Sequence, residues 1–163
     1  MDTKTILILD GLVEHPLALG FDDLAAFPDS LQVLDVSRFQ PSRKGDGLVL
    51  EALLEKARPL SEANYLTLHA DRDDFHVSIP LHEVRGEGIV VYRVGNTALG
   101  TEHGGPIRFL IRDPAACHTD ELDDCANVKY LSRIELTYRK GRDTRPADEA
   151  AHAALHQEQK AGG

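Results

Sequence analysis

The chain contains no tryptophan, one methionine and two cysteines among its 163 residues. Cys117 and Cys125 stand eight positions apart in one acidic stretch. Two cysteines are too few for a disulfide framework, and their spacing is not the C-x-x-C of zinc or thiol redox sites. Long apolar runs are also missing from the N-terminus. Ile6–Leu9 are apolar, but Asp10 follows at once, well short of a signal-peptide core or a membrane span. A cytoplasmic location is the expectation. Basic residues are in the minority: 18 Lys and Arg face 27 Asp and Glu, for a formal charge of −9. A field of that sign repels phosphate backbones and anionic lipid, so neither nucleic acid nor a membrane surface is an expected partner. A local basic pocket for a small anion stays possible under that field. No internal repeat is visible.

What is present suits one folded domain. A chain of this length buries roughly 70% of its unfolded surface and needs no disulfide or metal for stability. Its 42% hydrophobic and 28% charged residues argue against disorder, collagen and coiled coil. The pattern along the chain alternates short strands with few helices. Thr5–Leu9 reads as a strand, His15–Leu19 as a short extended piece, and Asp22-Asp23 as the start of a helix that Pro28 stops. Leu31–Val36 is a strand candidate, and residues 40–47 (QPSRKGDG) form a loop. Val49, Leu50, Leu53, Leu54 and Ala57 recur at helical spacing before Pro59. Strands are expected at Tyr65–Ala70, Phe75–Ile79, Ile89–Val94, Ile107–Ile111 and Ile134–Tyr138, with a hairpin turn at Gly95-Asn96. This pattern predicts a mixed α+β domain over residues 1–142. Residues 143–163 read as a polar tail, either a frayed helix or disordered.

Three other groupings invite chemistry. His69, Asp71, Asp73, Asp74 and His76 cluster around one turn, but a calcium loop would need glycine sixth from Asp71 and a carboxylate twelfth, where His76 and His82 stand. A solvated turn is the expected reading. Cys117-His118 is not a nucleophile–base pair by adjacency alone, because neighbours in a strand point to opposite faces. His152 and His156 can share one helix face in the tail, as solvated side chains.

Several phrases in order carry a resemblance. They are Leu9-Asp10-Gly11-Leu12-Val13, Pro16-Leu17 and Phe21-Asp22-Asp23-Leu24, then Gly47 with Leu50, Leu53 and Leu54, then Phe75-His76-Val77-Ser78-Ile79-Pro80. The most specific is His103-Gly104-Gly105-Pro106-Ile107-Arg108, followed by Val128-Lys129-Tyr130-Leu131 and Arg133-Ile134-Glu135-Leu136. Together, over residues 6–138, they resemble the molybdopterin-binding domain of the sulfite oxidase family. The resemblance implies that mixed-sheet fold and a pterin dithiolene cofactor ending in a phosphate. It places His103, Gly104, Gly105, Arg108 and Lys129 at cofactor-binding positions. The chemistry is apt. Glycines let backbone N–H groups approach a phosphate closely, and arginine offers a planar fork for two of its oxygens.

The pattern also breaks. The family's metal-ligating cysteine falls at Asp35, with Ser37 as the alternative, and no cysteine is near. A thiolate is a soft ligand and a carboxylate a hard one, so no metal ligand and no catalytic residue is assigned. The loop before Lys129 carries Asp120, Glu121, Asp123 and Asp124 where the family tends to place another lysine. Arg38 lies one position from where some members keep a substrate arginine. Three readings follow: a divergent domain that retains molybdopterin without the usual oxo-transfer catalysis; a cofactor-free descendant serving protein interaction or small-anion binding; and an active oxidoreductase with Asp35 or Ser37 on the metal.

Overall fold

A computed structural model describes residues 4–39, 43–112, 128–141 and 143. The tail from residue 144, both cysteines and the acidic residues 120–124 lie outside the described residues, and so do the readings made of them.

The strands form two five-stranded sheets. The first has the order β2 (Leu17–Leu19), β1 (Leu7–Gly11), β10 (Arg133–Thr137), β5 (Tyr65–Ala70), β6 (Phe75–Pro80). The β1–β10 pair is parallel and the others antiparallel. The second joins β3 (Gln32–Val33), β4 (Asp46–Val49), β7 (Gly88–Val94) and β8 (Thr97–Ala98), with β9 (Arg108–Ile111) also pairing β7, on the edge away from β4. The helices are short: α1 (Phe21–Ala25), α2 (Leu50–Ala57) and α3 (Leu81–Val84). The α+β expectation therefore holds.

Local chemistry explains most boundaries. Asp23 reaches back to accept from the Gly20 N–H at 2.7 Å, opening α1. Helix α2 stops where Arg58 takes a left-handed conformation (φ 57°) and returns its N–H to the Leu54 carbonyl, with Pro59 unable to continue. Gly95 supplies the positive φ for the β7–β8 hairpin. The expected strand at Leu31–Val36 is only Gln32–Val33, followed by a 3-10 turn at Val36–Arg38. There Asp35 adopts φ 57° and its carboxylate accepts from the Ser37 N–H and hydroxyl. An Asx-type bond of this kind competes with strand pairing and ends it.

The main core joins Leu7, Leu9, Leu66, Leu68, Ile134 and Leu136 of the first sheet to Leu50, Leu53 and Leu54 of α2, and to Leu48, Val90 and Phe109 of the second sheet. A smaller cluster, including Val36, Ile89, Val91, Leu99 and Leu110, covers the second sheet's other face. Burial on both faces explains why Ile89–Tyr92 reads as an unbroken apolar run rather than an alternation. No helix among the described residues is long and apolar enough to cross a membrane.

Candidate functional site

Strands β4 and β9 flank β7, and each runs antiparallel to it. Their N-terminal ends therefore meet at one end of the second sheet. The segment leading into β4 brings Arg43 and Lys44. The segment leading into β9 brings the 3-10 turn Thr101–His103, then Gly104, Gly105 and Pro106, and finally Arg108. Arg43, Lys44, Glu102, His103 and Arg108 line one small cleft there, about 80 Å³ in volume. Among the described residues, three permanent cations thus face one carboxylate inside a strongly acidic chain.

Arg108 is the buried member, with 8% of its surface exposed. Its Nη1 makes a long 3.4 Å hydrogen bond to the His103 carbonyl, and its Nε has no partner among the described residues. Burial, and next the nearby Arg43 charge, push the Arg108 guanidinium down to a pKa of about 10. The Arg43 Nε is likewise buried and without a hydrogen-bond partner among the described residues. Two guanidiniums with unmet donors around one cleft are an arrangement that an anion completes.

Of the residues singled out from sequence, His103, Gly104, Arg108 and Lys129 converge. A Cβ on Gly104 would sit 2.9 Å from Arg108 Nη1 and 3.1 Å from Lys129 Cγ, so the lysine stem and the arginine head both close on the space that this glycine leaves open. The Tyr130 N–H donates to the Gly104 carbonyl at 2.7 Å and holds the Lys129 segment against the loop. Lys129 itself is exposed, at the rim. His103 is half-buried, with Nε2 3.9 Å from the Glu102 carboxylate.

The glycines have a different role from the one expected. The Gly104 and Gly105 N–H groups already donate to the Thr101 and Gly100 carbonyls, at 3.0 and 2.9 Å, and so are not on offer to an anion. Gly104 is needed for its φ of 89° and for the room it leaves Arg108. Gly105 is needed because a Cβ would run into the Leu99 backbone. Arg43 and Lys44 were missed in sequence, where they read as part of a polar loop. Their only local signal was a basic pair just before Gly47.

Asp35 lies outside the residues lining the cleft, although its turn is tied to the segment that does line it. Its N–H donates to Asp46 at 2.8 Å, and the Val36 N–H donates to the Gly45 carbonyl at 2.9 Å. The Arg38 side chain turns back on its own segment, with Nε on the Leu34 and Asp35 carbonyls. No group of three or more His, Cys, Asp or Glu residues placed to hold a metal occurs among the described residues. The solvated reading of His69 and His76 is corrected. Both are buried, at 8% and 3% exposure, and bonded to each other.

Known proteins share this fold and much of the sequence pattern. The fold is similar to that of the sulfane dehydrogenase SoxCD from Paracoccus pantotrophus, with a TM-score of 0.63 and 20% identity over 89% of this chain and 41% of that one. In sequence, the chain is 32% identical over 111 residues to the uncharacterized oxidoreductase YuiH of Bacillus subtilis (strain 168), covering 65% of this chain and 56% of that protein. It thus spans only about half the length of these relatives. Residues 44–144, well over half of the chain and including the whole motif from His103 to Arg108, match the oxidoreductase molybdopterin-binding domain. Asp35 precedes the matched segment. The chain belongs to the oxidoreductase molybdopterin-binding domain family.

Proposed function

We propose that the cleft holds the terminal phosphate of a molybdopterin-type cofactor, and that the chain does so without the thiolate-held metal centre of sulfite oxidase-type oxo-transfer. The observation that carries this reading is Arg108, a buried guanidinium whose Nε donor is unmet among the described residues, next to Arg43 in one cleft. Keeping two arginines so close costs energy that a bound dianion offsets. Arg108 and Arg43 would take phosphate oxygens, with Lys44, His103 and Lys129 around them. The pterin end, when bound, would supply a dithiolene for a metal.

The fit fails at the metal. Resemblance places the ligand at Asp35, yet that carboxylate is an exposed hard donor already engaged by Ser37. Molybdenum analysis of protein from a host able to make the cofactor should find much less than one atom per chain. Asp35→Cys should raise the metal content if the rest of the site is intact. Stoichiometric molybdenum in the unaltered protein would overturn this half of the proposal.

The small volume of the cleft favours a second reading in parallel: a small oxyanion alone, in a cofactor-free descendant of the fold. Inorganic phosphate tests what the two share. At a hundred times its dissociation constant, a ligand of the folded state adds about 2.7 kcal/mol. For a domain of this size that corresponds to about 5–10 °C in the thermal midpoint. No upward shift with phosphate, pyrophosphate or a phosphate-bearing pterin would remove both readings. A shift with the pterin far below the phosphate concentration needed would favour the cofactor.

A further inference from the structure

The face of the first sheet opposite the core carries a polar row. Leu66, Leu68, Val77 and Ile79 point into the core, so the intervening Thr67, His69, His76 and Ser78 share the other side. His69 and His76 are direct cross-strand neighbours. Their Nδ1 atoms are 2.7 Å apart and their rings meet edge-on, at 69°. Each ring turns its other nitrogen to a carboxylate: His69 Nε2 is 2.9 Å from Glu135 Oε1, and His76 Nε2 is 2.9 Å from Asp74 Oδ1.

We propose that Glu135, His69, His76 and Asp74 form one relay that holds a proton more than its members carry separately, and that this proton latches the β5–β6 turn next to the cleft rim. The argument is a count. Three hydrogen bonds link the four groups in line, and each needs one proton. Two neutral imidazoles bring one each and two carboxylates bring none. The third comes from solvent, leaving the four groups with a net charge of −1 instead of −2. No choice of tautomer avoids this. With both ring protons on Nε2, two lone pairs face each other at 2.7 Å. With one moved to Nδ1, its ring presents a lone pair to a carboxylate.

Charges on the surrounding elements include, among the described residues, Arg133 and Glu135 on β10, Asp10 on β1, Asp71, Arg72 and Asp74 in the turn, and Lys140 and Asp143 after β10. Arg133 bonds Asp10 at 2.7 Å and approaches Glu135 at 3.4 Å. Asp71 accepts from the Ser132 hydroxyl at 3.0 Å. Asp143 accepts from the Ser78 N–H at 3.0 Å.

Loss of the proton must break one of the three bonds. Glu135 sits within the sheet on β10, whereas the Asp74 side chain is 75% exposed and sits where the turn bends, at φ 48°. The turn is therefore the end that lets go. It carries Arg72, whose guanidinium lies 4.4 Å from the centre of the Tyr130 ring. Tyr130 holds the Gly104 carbonyl, next to Lys129. The relay thus reaches the edge of the cleft, while its proton count stands independently of what the cleft binds.

Glu135→Gln is the decisive change. A Gln amide can donate its own N–H to His69 Nε2, so all three hydrogen bonds form with no extra proton. The wild-type folded state holds one proton that the unfolded chain gives up above about pH 6.5. Its folding equilibrium should therefore fall with rising pH, by up to about tenfold per unit relative to Glu135→Gln. Urea unfolding of both proteins from pH 6 to 9 reads this difference, and other histidines cancel between them. Long-range proton–nitrogen spectra at pH 6.5 should show three N–H groups on the two buried wild-type rings and two in the variant. Parallel pH profiles, or two singly protonated rings in the wild type, would overturn the proposal. Should Glu135→Gln not fold, Asp74→Asn makes the same test from the other end.

Discussion

Replacing Gly105 with alanine should destabilise the protein by about 3 kcal/mol or more, lowering its thermal midpoint by about 10 °C. The added Cβ would penetrate the Leu99 carbonyl oxygen and stand 2.6 Å from the Leu99 carbonyl carbon and 2.9 Å from the Gly100 oxygen. All three are backbone atoms, so no side chain can swing aside. Nor is the backbone free to yield. The Leu99 N–H is bonded to Tyr92 at 3.0 Å, and Gly105 closes the loop through its own N–H on Gly100. The loop carries His103 and leads into Arg108, so anion affinity should fall together with stability. Urea denaturation checks the first effect without any ligand. A Gly105→Ala protein within about 0.5 kcal/mol of wild type, the size of an ordinary surface change, would show that this close approach is not needed.

Arg108→Ala should separate binding from stability. A charge-assisted hydrogen bond contributes about 1.5–3 kcal/mol, so losing it should weaken phosphate or pterin binding tenfold to about a hundredfold. Stability should hardly change, because two effects oppose each other. The buried stem loses its packing, but a buried charge with no ion-pair partner among the described residues, next to Arg43, is also removed. The sign follows from the lowered pKa of about 10. The unfolded chain holds the Arg108 proton more tightly than the folded one. The charge is therefore a cost to folding at neutral pH, relieved only as pH rises through about 10 toward the unfolded value. Because that range is too alkaline for most proteins, the mutant is the practical test. Calorimetric titration with phosphate, beside thermal unfolding of the same two proteins, reads both quantities. If the wild type binds no phosphate or pterin and Arg108→Ala unfolds readily, the basic cluster is architecture, and the cofactor-binding reading falls.

Much of the fold was legible because its signals are local. Helix α2 announced itself by apolar spacing and by Pro59 after its end. β5 and β6 were marked by alternation and a charged turn, and the β7–β8 hairpin by Gly95-Asn96. The segment around Asp35 failed as a strand because one side chain bonding two residues ahead overrode an apolar pattern. His69 and His76 were misread for a related reason. Charged neighbours in sequence suggested solvent, but Glu135, which comes from a distant strand, supplies the partner that makes burial tolerable.

The sequence by itself determined the class of fold, the family and the stretch from His103 to Arg108 as the place to look, since periodicity and a short motif are written in neighbouring residues. Tertiary structure alone decided that Arg43 and Lys44 share a cleft with Arg108, because that follows from β4 and β9 running the same way on either side of β7. It also decided that the two motif glycines provide room and not N–H donors, since hydrogen bonds to Gly100 and Thr101 use those donors first. Periodicity reports which way a side chain faces. Which charges meet, and which donors are left for a ligand, depends on pairings between segments far apart in the chain.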